Sequence, residues 1–125
     1  MKDFAEVQEF IDSVNSFEIY KWFKKNFLPL YETKLNGKTM WVDYSSVIRG
    51  ISYDIEKKTL FVTFTSDKEY AYYDVPVDVF VCGAFTDYLR EMESAGEVNM
   101  ENSSLSLGGW FNEMVKGYFN YTLLN

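Results

Sequence analysis

The 125-residue chain contains no histidine. That removes the commonest general base and the commonest transition-metal ligand together. A single cysteine, Cys82, rules out an intramolecular disulfide and, without histidine, the usual zinc ligand sets. Flanked by Val81 and Gly83, it reads as a small buried hydrophobe rather than a nucleophile. Positive charge is scarce. Twelve Lys and Arg against 19 Asp and Glu leave a net charge of −7, which disfavours unspecific contact with phosphate backbones and anionic membranes. No stretch approaches the roughly 18 apolar residues of a membrane span. The start of the chain, with Asp3, Glu6 and Glu9, lacks the basic region and apolar core of a secretory signal. Together with the free cysteine this predicts a cytoplasmic protein.

Phosphate loops, nucleophile elbows and EF-hand patterns are also missing. Gly108-Gly109 is a bare pair with no Lys-Ser or Lys-Thr after it. Carboxylates are plentiful, but no two stand out as the acid and base of a hydrolase. The sequence therefore reads as a non-catalytic protein that needs no cofactor and no metal.

What the chain has in excess is aromatic rings: 11 Phe, 10 Tyr and 3 Trp, or 19% of residues. Rings of this size allow a small domain to build a core from few residues. Each buried tyrosine hydroxyl needs a partner, however, so ten tyrosines leave some aromatic surface for water, a ligand or a second copy in a homodimer. Length and a 47% apolar content fit a single domain spanning residues 1–125.

Residues 3–26 predict helix in two pieces. Phe4, Val7, Ile11 and Val14 stand at helical spacing, and Asn15 with Glu18 has the form of a capping box. Pro29 ends the helical region. Tyr31 to Leu35 and Lys38 to Val42 then flank Asn36-Gly37, a type I′ hairpin signal. From Val47 the period becomes two, through Ile51 and Tyr53, then Leu60, Val62 and Phe64, then Tyr70, Tyr72 and Asp74. Polar turns at 54–58 and 66–68 make this a three-stranded antiparallel meander. Pro76 opens a helix expected over 77–93. Residues 94–105 read as a polar loop, and a last helix is expected from about 109 to 121. The class is α+β, a small antiparallel sheet packed against helices.

The meander resembles the KTSC domain. The similarity is carried by Ser45-Ser46-Val47-Ile48, Gly50-Ile51-Ser52-Tyr53-Asp54, Thr59-Leu60 with Val62 and Phe64, and Tyr70-Ala71-Tyr72-Tyr73-Asp74-Val75-Pro76. The closing Ser-x-Gly-x-aromatic-Phe-Asn of that family is similar to Ser106-Leu107-Gly108-Gly109-Trp110-Phe111-Asn112, followed by Val115 and Tyr118. The resemblance spans about 45–85 and 106–118. It implies a short module found at the C-terminus of some lysyl-tRNA synthetases and alone in bacterial and phage proteins, with RNA as one ligand to consider. Three departures are evident: Asp67 where the family often has Gly, an insert over residues 86–105, and an N-terminal extension over residues 1–44.

Two surfaces emerge as candidate sites. The insert carries Asp87, Glu91, Glu93, Glu97 and Glu101 against Arg90, a local net of −4. As a docking surface it would steer a basic protein. This is the leading expectation: an interaction protein, of the kind a phage or mobile element uses as an inhibitor of a host protein. The alternative is a small nucleotide-type ligand, or RNA, bound by Tyr70, Tyr72, Ser106, Gly108, Gly109 and Asn112. Tyrosines would stack bases and the Ser-x-Gly-Gly turn would meet phosphate. The bland counterparts are a solvated loop, a cross-strand aromatic ladder under a helix, and a serine cap. Against a long RNA strand, residues 45–82 hold four basic and six acidic side chains, a net of −2.

Overall fold

The structure is a computed structural model that describes residues 8, 9, 11, 12, 18, 21, 25, 40, 41, 47–101 and 105–125. Its centre is a five-stranded antiparallel sheet in sequential order, β1 (Met40–Trp41), β2 (Ile48–Asp54), β3 (Thr59–Phe64), β4 (Glu69–Tyr72) and β5 (Tyr121–Leu123). The three-stranded meander expected from the period-two pattern is β2 to β4. The strand expected over Lys38 to Val42 is present as β1, paired to β2 through Met40–Ile51 and Trp41–Gly50. Its turn at Asn36-Gly37 and the arm over 31–35 lie outside the described residues, as do Asn15 and most of the expected N-terminal helices. Gln8, Glu9, Ile11, Asp12, Glu18, Lys21 and Lys25 are helical, and Ile11 belongs to the core.

Local chemistry fixes the two meander turns. Asp54 Oδ1 accepts the Glu56 and Lys57 N–H groups, each at 3.1 Å, the Asx-turn arrangement that aspartate favours. At the next turn the Asp67 N–H donates to Phe64 O and the Phe64 N–H to Lys68 O, both at 2.9 Å. Asp67 there has φ +67°. A left-handed residue closing a three-residue hairpin loop suits glycine best, and aspartate is one of the few side chains that tolerate it. The same backbone therefore accommodates either the family's glycine or the aspartate of this chain.

Alternation sorts the sheet into two faces. Ile51, Val62 and Tyr70 are in register on one face, as are Tyr53, Leu60 and Tyr72. Helix α1 (Val77–Ser94) covers this face, with Phe80 stacked on Tyr53 at 5.3 Å and 11°. The Tyr53 hydroxyl is satisfied by Val75 O. Tyr73 projects from the other row and is 39% exposed. The row of Tyr70 and Tyr72 thus faces the helices.

Helix α1 ends one residue beyond its expected limit, in a Schellman motif: Glu97 N–H to Met92 O, Gly96 N–H to Glu93 O, and Gly96 at φ +77°. Helix α2 (Leu107–Met114) packs across α1 through Trp110, which is wholly buried and donates Nε1–H to Val79 O at 2.9 Å. The ring lies on Gly83, where a Cβ would come within 2.7 Å of it.

Two expectations are corrected. The last helix does not reach residue 121. Val115 and Lys116 N–H groups both turn back to Phe111 O, and Gly117 adopts φ +83°, which breaks the helix early. Tyr121, Thr122 and Leu123 then form a fifth strand, pairing with β4 through Tyr72–Tyr121 and Tyr70–Leu123.

The loop expected after residue 94 is present, but it is not solvated throughout. Val98, Met100 and Leu105 are buried members of the core. Charged residues of α1 fasten it. Glu93 Oε1 pairs with Arg90 at 3.1 Å, Glu93 Oε2 accepts the Met100 N–H at 3.0 Å, and Arg90 also donates to Leu105 O. From the N-terminal extension the Gln8 amide donates to Asn99 O at 2.8 Å and accepts the Asn99 N–H. Extension and insert are therefore bound to one another by a paired amide contact.

Candidate ligand site

Helix α2 covers the sheet only in part. Beside it, over the β4–β5 end of the helix-facing side, lies a cavity of about 550 Å³. Tyr70 and Tyr72 of β4 and Tyr121 of β5 line it, with Phe64 and the turn residues Thr65, Ser66 and Lys68 at one border. Gly108, Phe111 and Asn112 of α2 and the following Lys116 form another wall.

Five rings interlock there, mostly edge to face. Phe64 meets Tyr70 at 5.6 Å and 85°, and Phe111 at 5.3 Å and 86°. Phe111 meets Tyr72 at 5.6 Å and 75°, and Tyr121 meets Tyr70 at 5.7 Å and 67°. Such contacts hold each ring in one orientation. The lining is consequently a fixed aromatic wall rather than a collection of loose side chains.

Of the six residues in the expected small-ligand site, four converge on this cavity: Tyr70, Tyr72, Gly108 and Asn112. Asn112 is exposed on the wall. Ser106 and Gly109 have a different task. The Ser106 Oγ accepts the Gly109 N–H at 3.0 Å and caps α2, so that N–H is already engaged. The tyrosine row also acts as a cross-strand ladder, since Tyr72 is only 6% exposed and lies under Phe111.

The acidic set is dispersed. Asp87 is 3% exposed inside the α1 packing, and Glu93 spends both oxygens on Arg90 and Met100. Asp87 is therefore withdrawn from any acidic surface, while Glu93 is half-exposed with its oxygens engaged. Glu91, Glu97 and Glu101 remain exposed. The sequence pattern misleads because polar residues at the back of a helix can anchor a following loop as readily as face water.

Phe64, Tyr121, Lys68 and Lys116 were not among the expected site residues. A signal for one of them exists: Gly108, Asn112 and Lys116 recur every four residues, the spacing of a single helical row. Tyr121 could not be found while residues up to 121 were assigned to helix.

Burial, reinforced by Tyr70 and Tyr121, pushes the Tyr72 phenol up to about 12 from an ordinary value of 10.0. The unfolded chain ionises first, so this tyrosine's contribution to stability is complete below pH 10 and is lost as pH rises towards 12. Tyr72→Phe should therefore flatten the alkaline loss of stability while leaving stability at pH 8 within about 1 kcal/mol. Urea unfolding at pH 8 and pH 11 checks both parts. Tyr53 is also raised, by burial and then by Asp78 and Asp54, so some alkaline slope should survive.

Among the described residues no three Cys, Asp or Glu side chains converge as metal ligands would. No helix among them is long and apolar enough to cross a membrane.

The architecture, an antiparallel meander with a helix following Pro76 and a serine-capped helix across it, defines a small α+β module. The model of the KTSC domain matches residues 44–82, which is the meander and the first turns of α1. The closing Ser106 to Tyr118 stretch lies outside the matched residues. Among solved structures, the chain is similar to a KTSC domain protein from Yersinia pestis at 23% identity, covering 70% of this chain and 97% of that one with a TM-score of 0.48. No curated protein matches.

Proposed function

We propose that this is a cytoplasmic, non-catalytic binding protein whose ligand is a small ring-bearing molecule of nucleoside or nucleotide type. The observation that carries this reading is the cavity itself. About 550 Å³ lies within the range of roughly 300–1,000 Å³ typical of small-molecule sites. Its aromatic lining with a few polar groups also has the usual composition of such sites. An RNA strand is less well supported, because residues 45–82 around the site carry a net charge of −2. Docking of a basic host protein ranks second, since it keeps Glu91, Glu97 and Glu101, but Asp87 is buried and Glu93 is engaged by Arg90 and the Met100 N–H.

Gly108 supplies the test. It lines the cavity at the start of α2, and a Cβ there meets nothing nearer than Ser106 Oγ at 4.0 Å. Gly108→Leu therefore places a side chain in open space and should not lower stability, since glycine costs about 0.8–1.0 kcal/mol relative to good helix formers. A thermal-shift screen of purines, pyrimidines, nucleosides and nucleotides compares the two proteins. A ligand at about 100 times its Kd adds about 2.7 kcal/mol of stability. The expected result is stabilisation of the native protein and none of Gly108→Leu. Equal stabilisation of both would place the ligand elsewhere.

A further inference from the structure

The lining contains 13 residues, and its only formally charged members are Lys68 and Lys116. Among the described residues no carboxylate borders the cavity, although the chain carries 19 acidic residues and a net charge of −7. Neither lysine forms an ion pair among the described residues, whereas Arg49 pairs with Asp67 and Arg90 with Glu93. The first of these matters directly. Asp67 is the immediate neighbour of Lys68, and its carboxylate is engaged by Arg49. On its other side Glu69 accepts a bond from the Thr63 hydroxyl at 3.5 Å.

Beside the lysines stand neutral groups able to donate hydrogen bonds, the Thr65 and Ser66 hydroxyls and the Asn112 amide. The opposite requirement, a flat apolar partner for a ring, is met by Phe64, Tyr70 and Tyr121, backed by the buried Tyr72 and Phe111. A site with a ring-binding wall and an isolated positive border fits a ligand that has both a ring and an anion. Charge-assisted bonds from lysine to phosphate are the strong polar contacts available to such a site.

We infer that the site selects nucleoside monophosphates over nucleosides, with the phosphate held by Lys68 and Lys116 and the base against the aromatic wall. This rests on the cavity being the ligand site, as proposed above. The excess of acid elsewhere on the protein repels longer polyanions, so a single phosphate suits the site better than a strand.

Isothermal titration of the full chain tests this with the four nucleoside 5′-monophosphates, their nucleosides, inorganic phosphate and a short oligoribonucleotide. Native protein, Lys68→Gln/Lys116→Gln and Gly108→Leu are compared. At least one monophosphate should bind about tenfold or more tightly than its nucleoside, and added salt should weaken it. The lysine double variant should bring monophosphate affinity down to about that of the nucleoside. Gly108→Leu should abolish both.

If nucleoside and monophosphate bind equally, with the lysine variant indistinguishable from native, the inferred anion selectivity is wrong while the cavity remains a site. Inorganic phosphate binding as tightly as the monophosphates, or affinity growing with oligonucleotide length, would also overturn it. If nothing binds, or Gly108→Leu binds as native protein does, the cavity reading falls and this inference with it.

Discussion

Trp110→Ala should lower the free energy of unfolding by about 3–5 kcal/mol, out of the roughly 5–15 kcal/mol that a small domain has. The indole is fully buried between the two helices, and its Nε1–H satisfies Val79 O. Truncation leaves a cavity and removes the hydrogen bond that the indole adds to this helix carbonyl. The converse change at the partner position is also costly. Gly83→Ala would put a methyl 2.7 Å from a rigid ring that cannot retreat, an overpacking worth about 1–3 kcal/mol. The two changes should not add. With the indole gone, the alanine at position 83 has room, and its better helix propensity should return up to about 1 kcal/mol. Denaturant unfolding of both single variants and the double variant gives the coupling. Simple additivity would mean that the helices do not meet through this pair.

Met100→Ala should be comparably severe, at about 2–5 kcal/mol. By contrast, Glu91, Glu97 and Glu101 changed singly to Gln should each stay within about 0.5 kcal/mol. Met100 is 1% exposed, in a segment whose composition reads as polar loop. Its backbone N–H is held by Glu93, and the adjoining Asn99 by Gln8. The insert and the N-terminal extension, both additional to the matched KTSC segment, thus support one another and share the core through Ile11, Val98 and Met100. The same unfolding measurements decide whether the insert is structural. Little loss at Met100 would return it to the role of a grafted surface loop.

How much of this was legible depends on the length and regularity of the local signal. The period-two runs around Ile51, Leu60 and Tyr70 mark the meander, because alternation sorts each strand into two rows, although it leaves open whether Tyr70 and Tyr72 or Ala71 and Tyr73 face the helices. Pro76 marked the start of α1 for an equally local reason. The closing segment was harder. Phe111, Met114, Val115, Tyr118 and Phe119 keep helical spacing beyond the point where Gly117 turns the chain, so periodicity alone carried the helix too far. That β5 pairs with β4 is a long-range fact, and nothing within Tyr121-Thr122-Leu123 names its partner.

The same distinction separates the two candidate sites. Tyr70, Tyr72, Gly108 and Asn112 came from sequence patterns tied to backbone geometry, and they meet at one cavity. The acidic set came from composition alone. Carboxylates spaced along a helix and its following loop point in several directions: Asp87 is buried, and the half-exposed Glu93 is tied to Arg90 and Met100. Lys68 and Lys116 lie 48 positions apart in the sequence and become neighbours of one space only when α2 crosses the sheet.

The most direct test of the cavity as the functional site is a heteronuclear NMR titration of the labelled full chain with the nucleoside monophosphate that binds most tightly. Shift changes should cluster at Phe64, Ser66, Lys68, Tyr70, Gly108 and Asn112, and leave Glu91, Glu97 and Glu101 unmoved. Changes centred on those three glutamates, or scattered without saturation, would contradict the account.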